Sequence, residues 1–160
     1  IVTATGLNIQ LFGGVSLSVE GQPVDLSKSI AYKGMMLAGV PNLAFVFGYT
    51  NSSWTLKVGL ICEHFCRLLT HMDANGYDTV VPFVSNPNMP ARPMVDFSAG
   101  YVQRAAKLMP RQSDGLTWGM SMNYFTDVKA LRESPVTNAN LRFGTAPRSA
   151  GAGDRVALEA

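Results

Sequence analysis

Charged residues are scarce in this chain of 160 residues, where they make up 15% of the sequence against 47% for apolar residues. Because a typical globular domain carries about 25% charged residues, this composition excludes disorder for most of the chain and predicts extensive buried surface. The 13 basic and 11 acidic residues leave a formal net charge of +2, and the basic residues are scattered singly. That distribution excludes the strongly basic surface by which most nucleic-acid-binding proteins hold their ligand.

Cysteine is also rare, with Cys62 and Cys66 as the two examples in the sequence. Two thiols are too few for the disulfide framework of a small secreted protein, and they are compatible with a reducing cytoplasm. A secretory leader needs a basic segment followed by an apolar run, and the first residues show neither pattern. We therefore expect a cytoplasmic protein and leave peripheral association with a membrane open.

Long apolar runs without breaks are missing as well. The longest uncharged stretch, residues 34–56, contains Pro41, Asn42, Gly48 and Asn51. These residues fit a strand and a loop better than a helix in lipid. The sequence therefore predicts a soluble chain without a transmembrane segment.

The length of the chain matches about one domain with one core. Ile1 is not an initiator methionine, and the β-branched run Ile1-Val2-Thr3-Ala4-Thr5 has no turn or polar residues before it. A strand that begins without such a lead-in indicates a fragment cut inside a strand.

The next segment predicts a small exposed hairpin. Apolar and polar residues alternate over residues 15–19, which indicates a strand with one solvated face. Glu20-Gly21-Gln22 can turn the chain. Pro23 favours an edge position for the second arm, over residues 23–26.

A strand, a loop and a helix then form the best-defined unit of the sequence. The continuous apolar run of residues 41–48 is typical of a buried parallel strand. Asn51, Ser52 and Ser53 are candidate N-caps for a helix that ends at the left-handed stop Asn75-Gly76.

This helix shows an apolar and a polar stripe. The predicted buried stripe consists of Val58, Ile61, Cys62, Phe65, Leu69 and Met72. The predicted polar stripe consists of Lys57, His64, Arg67 and His71. Glu63 can form an ion pair with Arg67, four residues later.

The remaining segments are less regular. Prolines exclude regular structure over residues 82–93 and predict a surface loop. Ser98 is a candidate cap for a short helix over residues 99–109, and another helix is predicted over residues 122–133. Residues 144–160 are rich in Gly, Ala, Ser and Arg and predict a mobile tail.

The loop of residues 48–54 is the first candidate site. Ligands of open α/β sheets bind where a strand ends and a helix begins, and the unpaired amides there suit a partly negative ligand atom. Every such sheet has several of these loops, so an ordinary connection with ordinary caps is the alternative. Trp54 and Trp118 could each pack in the interior or line a pocket.

Other chemistry has weaker support. Cys62 and Cys66 share a helix face, but His64 points elsewhere and no third cysteine completes a zinc site, so we predict no metal and two small core residues. His64 and His71 lack a Ser or Asp at a triad spacing, which favours a solvated or interface face. The sequence contains no G-x-G-x-x-G or Walker loop, the usual means of holding a nucleotide pyrophosphate.

Two strings of residues carry a resemblance to a known family. Ile1-Val2-Thr3-Ala4-Thr5-Gly6 resembles the strand end at which two-dinucleotide-domain flavoproteins pass from the NADPH domain back to the FAD domain. Residues 39–57, with Phe47-Gly48-Tyr49-Thr50-Asn51-Ser52-Ser53-Trp54, resemble the last FAD-domain strand and helix of flavin-containing and Baeyer-Villiger monooxygenases. Similarity to the ethionamide-activating subgroup continues at residues 31–37, 96–102 and 123–125, so the resemblance spans about residues 1–143.

The resemblance implies an α/β fold class. The chain would be the C-terminal part of a flavoprotein with two dinucleotide-binding, Rossmann-like domains and a mostly helical C-terminal extension. Residues 1–78 would hold the end of the NADPH domain and the last strand and helix of the FAD-binding domain. Residues 79–143 would form the loop and the helical extension, and residues 144–160 the flexible tail.

The resemblance further implies an enzyme that uses FAD and NADPH. In this family NADPH reduces FAD, dioxygen adds as a C4a-(hydro)peroxide, and one oxygen atom passes to a ketone or to a sulfur or nitrogen compound. A small organic molecule and O2 are the implied partners, and the low charge is compatible with a homo-oligomer. The implied neighbours of the FAD are Thr5, Gly6, Gly48, Tyr49, Thr50, Asn51, Leu56, Lys57 and Val58. The helix amides after Ser53 would face the pyrimidine edge of the flavin and favour the charge it gains on reduction.

The catalytic residues stay unknown. The resemblance places the two G-x-G-x-x-G loops of the family, and the arginine of Baeyer-Villiger enzymes, before Ile1. This chain alone is therefore predicted neither to bind FAD tightly nor to turn over. Two alternatives remain, namely part of a flavin disulfide reductase, whose usual His-Glu pair we do not find, and a non-catalytic module that buries the apolar helix stripe against a partner.

Overall fold

The structure, a computed structural model, describes residues 1–4, 6, 8–95 and 100–145. It is a mixed arrangement of one long helix, several short helices and short antiparallel strands. The strands are β1 (Ser18–Val19), β2 (Gln22–Pro23), β3 (Ala31–Tyr32), β4 (Met36–Leu37), β5 (Thr79–Pro82), β6 (Arg92–Pro93), β7 (Arg111–Gln112) and β8 (Leu141–Gly144). The helices are α1 (Trp54–Asn75), α2 (Gly100–Ala106), α3 (Gly115–Trp118) and α4 (Tyr124–Asp127), and α4 continues into a wider, π-type turn at Val128–Glu133.

The exposed hairpin predicted near the start is confirmed. β1 pairs with β2, and the two connecting residues, Glu20 and Gly21, both have positive φ angles, of 51° and 77°. This left-handed pair matches the right-handed twist of the two strands. Pro23 lies exposed in the edge strand, as its missing N–H requires.

A second hairpin, β3 with β4, lies at the centre of the molecule and was not predicted. Its turn begins at Lys33 and Gly34, which have φ angles of 49° and 64°. Successive strand residues point to opposite faces, so Tyr32 and Met36 join one buried cluster while Ala31 and Leu37 join another. The hairpin therefore separates the two cores of the chain.

The first core lies between this hairpin, α1 and the π-type turn. Tyr32 contacts Trp118 edge to face, with ring centroids 5.6 Å apart, so Trp118 is a packing residue. The second core lies on the other face of the hairpin and includes Phe45, Met94, Val102 and Met109. In the described part of the chain, no helix is long and apolar enough to cross a membrane.

Strands β5 and β8 form the longest pairing of the described chain, and the sequence analysis missed both. Thr79 pairs with Gly144 and Pro82 with Leu141, in antiparallel register. Pro82 and Gly144 therefore belong to strands, although the first was assigned to a loop and the second to a tail. Residues 146–160 of the predicted tail lie outside the described residues.

The expected buried parallel strand over residues 41–48 is not observed. The segment begins in a turn at residues 41–42, and none of the described strands pairs along it. Its backbone is held at single points, where Asn42 N–H donates to the Val80 carbonyl and Phe45 N–H to the Met35 carbonyl. Val46 is 44% exposed because no neighbouring strand covers it.

The expected opening strand is likewise absent from the described residues. Residues 1–4 make no strand pairing and are exposed, and Thr5 lies outside the described residues. A strand needs a neighbour for its N–H and C=O groups, and the described chain provides none here.

Helix α1 begins and ends where the sequence predicted, although its cap differs. Ser53 is the N-cap, but its hydroxyl lies 2.9 Å from the hydroxyl of Thr55 and caps no backbone amide. At the other end Gly76 adopts φ 68°, and its N–H donates to the Met72 and Asp73 carbonyls. The left-handed stop is thus confirmed.

The buried face of α1 is rotated relative to the predicted stripe. The residues buried on it are Lys57, Leu60, Ile61, His64, Leu68 and Met72. Lys57 and His64 were expected on the polar stripe, whereas Leu69 of the apolar stripe is 42% exposed. The rotation occurs because α1 packs on α4 and the π-type turn, whose carboxylate and carbonyl oxygens hold the buried polar groups.

Two further expectations for α1 are wrong. Cys62 and Cys66 are exposed rather than in the core, since they lie on the face that the rotation turns outward. Glu63 does not pair with Arg67 but accepts from Arg132 at 2.7 Å. Arg67 instead donates to the Leu131 carbonyl, where it satisfies the end of the π-type turn.

The two later helices are shorter than predicted. α2 ends at Ala106 rather than at residue 109, and residues 98 and 99 lie outside the described residues. The last helix begins at Tyr124 rather than Met122, because the Asn123 side chain accepts from the Thr126 N–H and caps it. Arg92–Pro93, expected within an irregular loop, forms strand β6 against β7.

Candidate functional site

A cleft of about 570 Å³ opens beside the loop of residues 48–54. Its lining consists of Ile9, Gln10, Leu11, Phe12, Phe45, Val46, Phe47, Tyr49, Thr50, Trp54, Met94, Val95, Tyr101, Val102 and Met109. Among the residues that the structure describes, none of these side chains is charged. Such a lining suits an uncharged organic group that is held largely by contact with apolar surface.

Trp54 stands at the edge of this cleft. Its ring lies against Phe47, with centroids 5.2 Å apart, and 47% of the residue is exposed. Gly48 permits this approach, because a Cβ atom at that position would lie 2.3 Å from the Trp54 ring. Of the two roles considered for Trp54, the structure favours the one at the pocket.

The N-terminus of α1 opens beside the same cleft. The Ser53 side chain makes no capping hydrogen bond within the described part of the chain, and residues 52–56 are exposed. An uncapped helix start carries outward-pointing amides and roughly half a positive charge. With Trp54 and Leu56, both close to half exposed, it combines positive potential with apolar surface.

Lys57, one turn into α1, is directed away from the cleft. Its ammonium lies 3.2 Å from the carboxylate of Asp127, and the side chains of the two residues are 1% and 6% exposed. The same ammonium donates to the Ser121 carbonyl. Burial lowers the pKa of Lys57, although the neighbouring Asp127 carboxylate opposes this shift.

Tyr49, a residue of the cleft lining, is hydrogen-bonded to the same carboxylate. Its hydroxyl donates to Asp127 Oδ2 at 2.6 Å, and the residue is 3% exposed. Burial and then the hydrogen bond to Asp127 raise the pKa of Tyr49 above its usual range. The Tyr49 hydroxyl therefore stays protonated and donates its hydrogen bond to Asp127 rather than to a group in the cleft.

Thr50 and Asn51 complete the loop and are exposed. The Asn51 amide donates to the Met122 carbonyl at 3.1 Å, and the Thr50 hydroxyl lies 3.6 Å from the Met122 sulfur. Both residues also line a smaller adjoining cleft of about 290 Å³, together with Met94, Val95, Gln112, Met120 and Met122.

The other residues that the resemblance singled out are spread around this region. Gly6 has a φ of 81°, and a Cβ there would touch Tyr101, a residue of the cleft lining. Leu56 is 46% exposed and Val58 is partly buried on α1. Thr5 lies outside the described residues.

Sequence reasoning missed the wall opposite the loop. Met94, Tyr101, Val102 and Met109 reach the cleft from a segment about 50 residues further along the chain. Asp127 lies within the predicted helix of residues 122–133, but its partners Tyr49 and Lys57 are distant in sequence. Apolar spacing gave no signal for either feature, since both depend on contacts between remote segments.

A second buried polar group lies behind α1. His64 Nδ1 lies 2.7 Å from the Leu131 carbonyl, and the ammonium of Lys33 donates to the Ala130 carbonyl. Burial, and then the charge of Lys33, lowers the pKa of His64 to about 4. Burial, and then the charge of Arg67, lowers the pKa of Lys33 to about 8. These groups satisfy the carbonyls at the end of the π-type turn and are remote from the cleft lining.

An uncharged cleft beside the exposed start of a long helix is compatible with an organic ligand or cofactor. Comparison with known proteins gives the class. The chain is 46% identical over 151 residues to the FAD-containing monooxygenase EthA of Mycobacterium tuberculosis, a match that covers 94% of this chain. Over 94% of its length the chain is therefore similar to part of an FAD-containing monooxygenase, the kind of protein that the resemblance implied.

Two other relatives agree. The probable FAD-binding monooxygenase AlmA of Acinetobacter baylyi is 43% identical over 144 residues, 89% of this chain and 29% of AlmA. The putative FAD-containing monooxygenase MymA of Mycobacterium tuberculosis is 44% identical over 147 residues, 91% of this chain and 30% of MymA. The chain spans 31% of the length of EthA, or somewhat under one third of each of these relatives. No family model and no solved structure matches the chain.

Proposed function

We propose that this chain supplies one wall of the flavin and substrate site of a monooxygenase that uses FAD and NADPH. The observation that carries the proposal is the 46% identity to an FAD-containing monooxygenase over 94% of the chain. The reaction that we propose transfers one oxygen atom of O2 to a ketone, or to a sulfur or nitrogen compound. A Rossmann-like arrangement of two dinucleotide-binding domains, a cytoplasmic location and a homo-oligomer belong to the same proposal.

The residues beside the cleft fit a flavin. FAD supplies the redox chemistry, and its ring system gains negative charge at the pyrimidine edge on reduction. The uncapped start of α1 offers positive potential, which stabilises such a charge by about 0.3–1 kcal/mol when exposed and up to about 2 kcal/mol when partly buried. Trp54 and Leu56 add apolar surface for a flat ring. Thr50 and Asn51 would border the ring from the loop, and Gly6 would approach it from the cleft side.

The remaining residues act on the environment of the reaction. The apolar lining, with Phe12, Phe45 and Tyr101, would exclude water and bind the carbon skeleton of an uncharged substrate. Tyr49 and Lys57 are engaged by Asp127, so they would shape the wall rather than exchange protons with the substrate.

The proposal is tested on the full-length protein from which this sequence derives. Its absorbance spectrum should show flavin bands, and NADPH oxidation should rise when a ketone or a sulfide such as methyl phenyl sulfide is added. Oxygenated product identifies a monooxygenase. A colourless protein would contradict the proposal and support the interaction module, whereas flavin with disulfide-dependent NADPH oxidation would support the reductase.

The 160-residue chain alone should be colourless and inactive. It offers one wall of the cleft but no Gly-rich loop for the pyrophosphate of FAD. Titration of the isolated chain with FAD, followed by the fluorescence of the flavin, checks this expectation. Saturable binding by the isolated chain would show that the phosphate anchors are not required.

A further inference from the structure

A single buried carboxylate links the cleft loop to a segment more than 70 residues away. Asp127 Oδ2 accepts the hydrogen bond of the Tyr49 hydroxyl at 2.6 Å and lies 3.2 Å from the Lys57 ammonium. Tyr49 lies just before the exposed loop, and Lys57 lies in the first turn of α1. One side chain therefore holds both ends of the segment that borders the cleft.

Neighbouring contacts join the same two segments. Lys57 donates to the Ser121 carbonyl, the Asn51 amide donates to the Met122 carbonyl, and the Thr50 hydroxyl lies against the Met122 sulfur. The Lys57 ammonium also lies 5.2 Å from the centroid of the Tyr49 ring. The polar side chains of residues 49–51 and 57 thus all attach to residues 121–127.

Stability alone does not account for this arrangement. Removing two charges from water costs several kcal/mol per ion, and replacing a buried ion pair by apolar side chains of similar volume is often neutral or stabilising. Both side chains here are almost fully buried. A buried ion pair of this kind fixes the local geometry, because few other positions of the carboxylate and the ammonium satisfy both groups.

We propose that Asp127 is a positioning residue, which fixes the loop of residues 49–53 and the first turn of α1 at the rim of the cleft. The inference rests on the proposed function, since the position of this rim matters for the flavin and substrate that meet there. Displacement of reacting groups by about 1 Å can lower a rate by about a hundred-fold. Loss of the Asp127 contacts is therefore expected to loosen flavin and decouple the reaction without unfolding the protein.

The test compares variants of the full-length, FAD-loaded protein. Lys57→Met combined with Asp127→Leu removes both charges and retains side-chain volume. The expected result is a modestly lowered Tm, because the Tyr49 hydroxyl and the Ser121 carbonyl lose their partners. The dissociation constant for FAD should rise by about ten-fold or more, and more NADPH electrons should be released as hydrogen peroxide than transferred to methyl phenyl sulfide. The single variant Asp127→Asn keeps an acceptor for the Tyr49 hydroxyl. Its coupling of NADPH oxidation to sulfide oxidation should lie between those of the double variant and the wild type.

The matched control is the exposed ion pair of Glu63 and Arg132, which joins α1 to the π-type turn at Val128–Glu133. Glu63→Leu with Arg132→Met should leave FAD affinity and coupling at wild-type values. Equal losses in this control, or a Lys57/Asp127 double variant with wild-type affinity and coupling, would overturn the assignment. If the double variant fails to fold, Asp127→Asn decides, and wild-type affinity and coupling in that variant also overturn it. A wild-type protein without flavin would instead refute the proposed function itself.

Discussion

His64 lies wholly buried on α1 with its Nδ1 atom 2.7 Å from the carbonyl oxygen of Leu131, a residue 67 positions later. The carbonyl is an acceptor, so Nδ1 carries the proton of the neutral ring and donates it. The Nε2 atom is buried and has no hydrogen-bond partner among the described residues. The charged groups that face the ring are Lys33 and Arg67, both cationic.

This environment predicts an acid-sensitive fold. Burial and then Lys33 lower the pKa of His64 from 6.5 to about 4. Between pH 6.5 and 4 the imidazole of His64 is protonated in the unfolded chain but stays neutral in the folded chain. The free energy of unfolding therefore falls as the pH drops through this range. The loss should be on the order of 2 to 3 kcal/mol. Urea unfolding at several pH values should show a smaller decrease for His64→Gln than for wild type, and parallel curves would contradict this account.

Gly48 should tolerate no side chain while Trp54 stays in place. A Cβ atom at Gly48 would lie 2.3 Å from the ring, close to its attachment point, so the whole indole must move. We expect Gly48→Ala to lower the free energy of unfolding by about 1–3 kcal/mol. Gly59→Ala is the matched control, since Gly59 lies in α1 and, among the described residues, nothing beyond its chain neighbours and the nearby backbone of α1 comes within 4 Å of the added carbon. This variant should gain about 0.5–1 kcal/mol. Thermal unfolding of both variants checks the contrast, and equal behaviour would argue against the Trp54 position.

Asn42 connects two segments through its side chain. Its amide donates to the Asp78 carbonyl at 2.9 Å, and its oxygen accepts from the Val80 N–H at 2.9 Å, while its own φ is 54°. Asn42→Ala should cost about 2–4 kcal/mol, from the lost hydrogen bonds together with the unfavourable left-handed backbone. Asn42→Gly removes the same bonds but tolerates the backbone, so it should cost about 1–2 kcal/mol less. Equal losses in urea unfolding would show that the backbone conformation is not under strain.

Cys62 and Cys66 should both react in the folded chain. Each thiol is exposed on the outward face of α1. A thiol-specific chromogenic reagent should therefore label two sites at similar rates before and after denaturation. Protection in the folded chain would place the thiols in the core, as apolar periodicity had predicted. Protection confined to the full-length protein would show instead that another part of that protein covers this face.

Features set by neighbouring residues were predictable from the sequence. The Glu20-Gly21 turn and the Asn75-Gly76 stop depend on local backbone preferences, and both are observed. The loop of residues 48–54 was singled out as a candidate site, because an apolar run followed by polar residues and a helix is a local pattern. The resemblance to FAD-containing monooxygenases followed from residue strings and agrees with the relatives.

Other features depended on which segments come together. Periodicity showed that α1 is amphipathic but not which partner it meets, so it could not foresee that Lys57 and His64 are buried. Their burial depends on the Asp127 carboxylate and the Leu131 carbonyl, which lie about 70 residues away in sequence. The cleft wall formed by Met94, Tyr101 and Met109 has the same origin, as does the β5–β8 pairing. Residue order alone was enough for the local turns, the long helix and the resemblance to FAD-containing monooxygenases. Which polar groups are buried depended on the folded chain, because a buried charge is stable only where a distant segment supplies its partner.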